Sequence, residues 1–389
     1  MRGSPPLARP PEPGPDDRLR RCRPWQQAPL GHCCSSCCCP ARATVAAGLR
    51  YAHRVACAQI RYQPPGEDSG RWLGFHFRAG DIVISTPRKS GTTWMQMICA
   101  LLIFQTPDLP DPLWRLSPWL DSPAAPRERV YAQLDAQRHR RFIKTHTPLS
   151  WIPSDPRVTY IVTARHPLDA FVSLYHQNQM AGPPLVPPPP GQPGFAGHPG
   201  PLPPAAPPWP PGPRWPPGPP GPPPRPPAGA QAQEVSREKL HQALVEWIAS
   251  DDDPPRYSES LPGTMRHLSN AWTRRGEPNV LLVHYDDLLA DLEGQMRWLA
   301  RRLGIAVAEQ SWPILTEAAT FERMRDRKDV LVPPPPGIVA DAAVFFRRGT
   351  SGAGREILSS EEMASYDARA ARLAPPEMIE WLHRQVTEG

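Results

Sequence analysis

The chain of 389 residues contains no run of 18 apolar residues, and its N-terminal residues lack the apolar segment of a secretory signal. We therefore expect no membrane-spanning helix and no cleaved leader. A second pair of metal ligands is also missing: the spacing from Cys33 and Cys34 to Cys37 could hold part of a zinc site, but no further ligand pair follows nearby. No bound metal is expected. The isolated thiols of Cys57 and Cys99 suit a reducing compartment, so the sequence indicates a cytoplasmic location.

Proline, in contrast, is abundant, and most of it lies outside the segments with periodic hydrophobicity. In 182–229, 25 of the 48 residues are proline and nine are glycine, without the strict Gly-x-y period of collagen. This composition cannot form a packed core, so we predict an extended proline-rich insert. It could bind partners that recognise PxxP motifs, or it could be inert. Residues 1–60 are rich in Pro, Arg and Cys without periodicity, which predicts a poorly ordered extension.

Short apolar runs in the remaining sequence predict buried strands separated by helices. The strand runs are Ile82–Ile84, Phe142–Ile143 and those within 157–164 and 279–285. A later apolar stripe predicts one helix from Leu288 to Leu303, capped by Gly304. Alternating strands and helices form a parallel sheet that is covered on both faces. We therefore predict an α/β fold, a single domain over 67–389 with a central parallel sheet flanked by helices.

The segment from Ile82 to Phe104 has the order of a phosphate-binding loop. A β-branched run precedes a turn with Lys89 and several hydroxyls, and an apolar stretch long enough for a helix follows. Loop N–H groups and the helix N-terminus bind an anion in such an arrangement, and a nearby lysine neutralises it. The loop is P-loop-like but is not a Walker A motif, because Lys89 precedes Gly91 and no glycine lies four or five residues upstream.

The order K-S-G-T-T-W resembles the 5′-phosphosulfate loop of the PAPS-dependent sulfotransferases, of the cytosolic or aryl and bacterial type, which is usually T-Y-P-K-S-G-T-T-W. The resemblance implies that this loop binds 3′-phosphoadenosine 5′-phosphosulfate (PAPS). The implied contacts are Lys89, Ser90, Gly91, Thr92, Thr93 and Trp94. Lys89 would be the cation on the bridging oxygen and the leaving phosphate. Pro87-Arg88 stands where the family has Tyr-Pro, and Arg88 adds a second cation beside the phosphate site.

A second segment, K-T-H-T-P from Lys144 to Pro148, is similar to the family's K-T-H-L-P. The resemblance implies that His146 is the catalytic base and that Lys144 stabilises the transferring group. Histidine is suited to removing the proton of an acceptor hydroxyl, because its pKa lies near neutrality. The residues alone leave a structural role for this histidine open.

Two more segments imply contacts to the 3′-phosphate. The stretch from Tyr160 to Tyr175 is similar to strand-R-[NDH]-P-x-D-x-x-x-S-x-Y, and the run that ends at Arg355 resembles R-K-G-x-x-G-D-W-K. The implied 3′-phosphate ligands are Arg165, Ser173, Arg347, Arg348 and Gly349. The tryptophan of the second pattern is absent, because G-D-W-K is G-A-G-R here. Arg165 at a strand end offers a fork of donors for a phosphate.

Looser matches imply residues near the adenine. Tyr285 begins Y-D-D-L, which resembles Y-E-D-[LM], and Phe321 lies in a segment that resembles T-S-F-x-x-M. Phe321 could equally be a core residue. Trp114 and Trp119, between the first helix and the second strand, could line an acceptor pocket or cover the core.

The predicted function is transfer of the sulfuryl group of PAPS to the hydroxyl of an alcohol, phenol or glycolipid, without a metal. A net charge of +6 suits an acidic small ligand, and we expect no nucleic-acid partner; a homodimer is compatible with the sequence. One alternative is a P-loop kinase or NTPase, but neither a Walker A loop nor a magnesium-binding carboxylate at a strand end is evident. Another is a non-catalytic scaffold, against which the intact Lys89 and His146 argue.

Overall fold

The computed structural model describes residues 61–180, 236–252, 258–333 and 346–384, which belong to one compact unit, Gln59–Gly389. The extension predicted at 1–60 and the insert predicted at 182–229 lie outside the described residues. The domain bounds of 67–389 therefore stay a prediction.

The described residues form a sheet of four parallel strands in the order β2-β1-β3-β4. The strands are β1 Ile82–Ser85, β2 Phe142–Thr145, β3 Thr159–Ala164 and β4 Val280–His284. The central strand β1 is paired on both sides, with Ile84 opposite Lys144 of β2 and Ile161 of β3. All four strands lie where the apolar runs predicted them, and the predicted α/β fold with a central parallel sheet is confirmed.

Successive residues of β1 pack into different cores. Ile82 and Ile84 belong to a core on one face of the sheet, with residues of the first helix, and Val83 belongs to the core on the other face. All three side chains are fully buried. Side chains alternate between the faces of a strand, so a strand covered on both sides must be apolar at every position. This requirement explains the continuous β-branched run.

Helices cover both faces and account for most of the remaining described residues. They are α1 Thr92–Phe104, α2 Leu113–Leu116, α3 Arg127–Ala136, α4 Pro167–Met180, α5 Arg237–Ala249, α6 Leu261–Trp272, α7 Tyr285–Ala290, α8 Leu292–Leu303, α9 Trp312–Ala318, α10 Phe321–Asp326, α11 Lys328–Leu331, α12 Ser360–Leu373 and α13 Pro376–His383. Short 3₁₀ turns occur at Ser69–Trp72, Leu149–Trp151 and Glu309–Ser311.

The prediction of a single helix from Leu288 to Leu303 is wrong, because the helix is interrupted at Asp291. Asp291 leaves helical geometry, and its carboxylate accepts a hydrogen bond of 2.8 Å from the backbone N–H of Gly294. It thereby caps a second helix, a position at which aspartate is favourable. The spacing of the leucines does not reveal this cap. Gly304 ends that helix with φ +66°, as predicted.

The carboxyl edge of the sheet collects the residues that follow the strands. Thr86, His146, Arg165 and Tyr285 come just after β1, β2, β3 and β4 in that order. Because all four strands are parallel, these residues lie along one edge, where ligands of open α/β sheets bind. The fold therefore assembles a site from segments that are far apart in the sequence.

Candidate active site

Two residues of the loop after β1 adopt a left-handed backbone conformation before α1 begins. Lys89 has φ +63° and Gly91 has φ +93°. Glycine adopts such angles at little cost, whereas lysine pays a strain penalty for them. A Cβ at Gly91 would also lie 3.1 Å from Cδ2 of Tyr285. The loop therefore needs its glycine both for the turn and for the close approach of the tyrosine ring.

The side chain of Lys89 lies in a cationic and buried environment. Its Nζ donates a hydrogen bond of 2.8 Å to Oε1 of Gln177 on α4. Burial, and then the charges of Arg165, Lys144 and Arg347, lower the pKa of Lys89 to about 7. Such crowding of cations is unfavourable unless an anion enters among them. The surplus of positive charge is therefore suited to a multiply charged anionic ligand.

His146 is held in one tautomer by the backbone. Its Nδ1 lies 2.8 Å from the carbonyl oxygen of Thr86, which can only accept a hydrogen bond. The proton is therefore on Nδ1, and Nε2 keeps its lone pair. Burial, and then the charges of Lys144 and Arg88, hold the pKa of His146 well below its ordinary value. The imidazole is thus neutral at physiological pH, as a general base must be.

Trp119 forms one wall beside this histidine. The rings of Trp119 and His146 meet edge to face, with centroids 5.1 Å apart. Nζ of Lys144 lies 4.4 Å from the centre of the Trp119 ring, and burial followed by the charge of Arg88 lowers the pKa of Lys144 to about 8. Trp119 therefore lines the pocket, whereas Trp114 is not among the lining residues.

Below His146, polar side chains connect the ends of β1 and β2. The carboxylate of Asp121 accepts hydrogen bonds from the hydroxyls of Thr145 and Thr147. The hydroxyl of Ser85 donates to the carbonyl of Thr147 at 2.7 Å, and it lies 3.0 Å from Nε2 of His267 on α6. These contacts fix the two residues on either side of His146. Asp121 and His267 were not predicted from the sequence, because no local pattern marks them.

On the other side of the loop, aromatic and cationic groups pack together. The guanidinium of Arg165 lies 4.4 Å from the centre of the Tyr285 ring, and its Nη2 donates a 2.7 Å hydrogen bond to the carbonyl of Thr350. The indole of Trp94 meets the Tyr285 ring edge to face at 5.2 Å and donates to the carbonyl of Ala319 at 2.8 Å. This contact fixes the start of α1 against α7.

The C-terminal segment is held against α4 by one carboxylate. Asp169 accepts hydrogen bonds of 2.8 Å from the backbone N–H groups of Gly352 and Gly354. A Cβ at Gly354 would lie 2.4 Å from Cβ of Leu168, so this backbone leaves no room for the tryptophan of the family pattern. The segment that carries Arg347 and Arg348 is therefore fixed without that tryptophan.

A second close contact orders the same segment. Gly349 has φ +68°, and a Cβ there would lie 2.5 Å from the ring of Phe321. Phe321 packs edge to face on Phe346, with ring centroids 6.0 Å apart. Phe321 lines the pocket and also packs against one core, and its contact with the adenine stays a prediction.

These groups surround one pocket of about 1120 Å³, a volume that includes its open mouth. Predicted site residues that line it are His146, Lys89, Lys144, Gly91, Thr92, Thr93, Trp94, Arg165, Ser173, Tyr285, Phe321, Arg347, Arg348 and Gly349. Ser90 does not line it, because its side chain is fully buried behind the loop. Gln177 does line it and was missed, although it lies one helical turn after Ser173 on α4.

Within the described ranges, no cluster of three or more His, Cys, Asp or Glu residues could hold a metal ion. Over the same part of the chain, no helix combines the length and apolar character needed to cross a membrane.

A parallel α/β sheet that carries an anion-binding loop and a cluster of cations at its carboxyl edge defines a nucleotide-dependent group transferase. Residues 79–374 match the family described as sulfotransferase domain. The chain belongs to the PAPS-dependent sulfotransferase family, and it is an enzyme of that family. The resemblance found in the sequence is thereby confirmed, and the kinase and scaffold alternatives are set aside.

A curated relative agrees with this assignment, and two solved structures share the fold. A glycolipid sulfotransferase of Mycobacterium bovis is 37% identical over 335 residues, which are 84% of this chain and 94% of that protein. Retinol dehydratase in complex with retinol and PAP has a TM-score of 0.52 at 19% identity, over 82% of this chain and 86% of that chain. Mouse sulfotransferase SULT7A1 complexed with PAP has a TM-score of 0.52 at 17% identity, over 80% and 91% of the two chains.

Proposed function

We propose that this enzyme transfers the sulfuryl group of PAPS to a hydroxyl of a glycolipid, with His146 as the base. One arrangement carries the proposal: the neutral Nε2 of His146 shares a pocket with the buried cations Lys89 and Lys144. PAPS supplies an activated sulfuryl group on a phosphate leaving group. Side chains of this protein bind the donor and remove the proton of the acceptor.

The first part of the proposal concerns the donor. Arg165, Arg347 and Arg348, with Ser173 and Gly349, would hold its 3′-phosphate. The backbone N–H groups at the start of α1, with the side chains of Thr92 and Thr93 there, would hold its 5′ end. Tyr285, Trp94 and Phe321 would pack around the adenosine. The crowded positive charges of this pocket favour the phosphates of the donor. Burial and neighbouring cations lower the pKa of both Arg347 and Lys89.

The second part concerns the reaction. Nε2 of His146 accepts the proton of the acceptor hydroxyl as that oxygen forms its bond to sulfur. The bond between sulfur and the bridging oxygen breaks in line, and the electron pair stays on the leaving phosphate. Lys89 stabilises the charge that develops on that phosphate, and Lys144 stabilises the equatorial oxygens of the transferring group. The products are a sulfate ester, adenosine 3′,5′-bisphosphate (PAP) and a proton on His146.

The choice of a glycolipid as the acceptor rests on the 37% identity to glycolipid sulfotransferases. PAPS turnover against phenols, aliphatic alcohols and glycolipids tests it, with the glycolipid expected to have the highest kcat/KM. Phenols as the best acceptors would contradict it. Tighter binding of ATP than of PAP would contradict the assignment of PAPS as the donor. The homodimer and the cytoplasmic location stay predictions from the sequence.

The assignment of the base has a matched control. His146→Ala should lower transfer by about a hundredfold or more, whereas His76→Ala should not, because His76 is exposed and is not among the residues that line the pocket. Near-normal turnover of His146→Ala would show that another group removes the proton.

A further inference from the structure

Arg88 lies in the pocket wall beside the base. It lines the pocket together with Trp119, Lys144 and His146, and its Cζ is 5.4 Å from the centre of the Trp119 ring. Its charge also contributes to the low pKa of His146. The acceptor hydroxyl must approach Nε2 of His146, and Arg88 therefore borders the space that the acceptor occupies.

Two carboxylates neutralise this arginine from outside the pocket. Oε1 of Glu67 accepts from Nη2 at 3.0 Å and from Nε at 3.2 Å, and Oε1 of Glu259 lies 3.2 Å from Nε. The side chain of Glu67 is completely buried. An anion brought to Arg88 would be repelled by both carboxylates. The pairing therefore disfavours a sulfate or phosphate ligand at Arg88 and leaves it suited to a neutral oxygen.

One edge of the guanidinium has no partner in the part of the chain that the structure describes. Nε and Nη2 donate to Glu67, and Nη2 lies 3.4 Å from the carbonyl of Pro65, whereas Nη1 makes no hydrogen bond to a described residue. The side chain is 19% exposed, and Arg88 is a lining residue of the pocket. A fixed donor without a partner next to the base can bind an oxygen of the acceptor.

We propose that Arg88 selects the acceptor. Its Nη1 donates a hydrogen bond to a neutral oxygen on the carbon adjacent to the one that carries the reacting hydroxyl. Vicinal hydroxyls of a sugar ring have this arrangement, and simple alcohols do not. The inference rests on the proposed function, since it needs His146 as the base, and it adds the group that recognises the substrate class. Arg88 stands where the family pattern has proline.

The test compares two acceptors that differ by one hydroxyl, trans-1,2-cyclohexanediol and cyclohexanol, with PAPS as donor. It is run at pH 8, above the pKa of about 7 to which burial raises Glu67. A hydrogen bond from a charged donor corresponds to a preference for the diol of about ten- to hundredfold, beyond its statistical factor of about two. The ratio of the two kcat/KM values cancels any effect of Arg88 on the pKa of His146.

Arg88→Leu alone would leave the carboxylate of Glu67 buried without its partner, which is destabilising. The decisive variant is therefore Glu67→Gln/Arg88→Leu, with PAP affinity as the check that the nucleotide site is intact. The preference for the diol should fall to the statistical factor in this variant. Arg323→Leu is the control, because Arg323 forms an exposed pair with Glu317 and is not among the lining residues, and it should keep the wild-type ratio.

Three results would overturn the proposal. The first is an unchanged preference for the diol in the double variant. The second is a wild-type preference for an anionic 2-hydroxy acid over the diol, which would make Arg88 an anion-binding residue. The third is an equal loss of the preference in Arg323→Leu. Failure of the proposed function would differ from these, since His146→Ala would then retain turnover.

Discussion

Nδ1 of His146 lies 2.8 Å from the carbonyl oxygen of Thr86, and this contact decides which nitrogen of the ring is basic. His146→Ala should lower kcat/KM by about a hundred- to ten-thousandfold, the usual contribution of a general base. The measurement is PAPS turnover under single-turnover conditions. Turnover within a few-fold of the wild type would contradict the assignment.

The pH dependence tests the same residue without a mutation. His146 acts as a base only when neutral, so activity is lost as the pH falls through its pKa. Burial and the charges of Lys144 and Arg88 hold that pKa well below 6.5. The acid limb of the kcat/KM profile should therefore lie below pH 6.5. An acid limb at or above pH 6.5 would contradict the burial that the structure gives to this ring.

Lys89 should take up a proton when PAP binds. In the free enzyme its pKa is about 7, so at pH 8 most of it is neutral. The phosphate groups of the ligand favour the charged form and raise that pKa. Calorimetry at pH 8 in buffers of different ionisation enthalpy should show proton uptake, and at pH 6 the uptake should vanish. Lys89→Met should remove its share of the uptake at pH 8; an equal uptake in this variant would assign the proton to another group.

Arg165→Ala should weaken binding of the 3′-phosphate in particular. A hydrogen bond to a charged group contributes about 1.5–3 kcal/mol, so affinity for PAP should fall by about ten- to hundredfold. Adenosine 5′-monophosphate, which lacks the 3′-phosphate, is the control ligand, and its affinity should change little. Equal losses for both nucleotides would mean that Arg165 acts on the Tyr285 ring and not on the phosphate.

Gly349→Ala should damage the nucleotide site. A non-glycine residue in the left-handed region costs about 1–2 kcal/mol, and the new Cβ would lie 2.5 Å from Phe321. We expect PAP affinity to fall by about tenfold or more. Gly304→Ala is the matched control, because Gly304 has φ +66° and nothing lies within 4 Å of a Cβ at that position. The same loss in both variants would contradict a specific role of the contact with Phe321.

The fold was predictable from the sequence because its strands are short and covered on both faces. A continuous run such as Ile82–Ile84 can satisfy two cores only as a buried strand of a parallel sheet. The break at Asp291 was not predictable from the same evidence. Leucine periodicity continues through it, and the cap depends on a side chain that turns back onto the backbone.

The site was predictable where a motif is contiguous. His146 and Arg165 follow their strands directly and Lys89 follows β1 within a few residues, so their positions at the sheet edge follow from the strand ends. Gln177 and His267 were missed because their contacts depend on how two helices rotate against the sheet. The partners of Arg88 were missed for a similar reason, since Glu67 and Glu259 are distant in sequence.

The packing of α4 on α5 has a consequence for how the two helices are held together. The two helices contact each other through Phe171 and Trp247, whose ring centroids are 4.8 Å apart. All that α4 contributes to the pocket lies at or before Gln177. Closing a longer loop costs only about 0.6 kcal/mol for each doubling of its length. The two helices are thus held together by their own packing, whatever length of chain joins them.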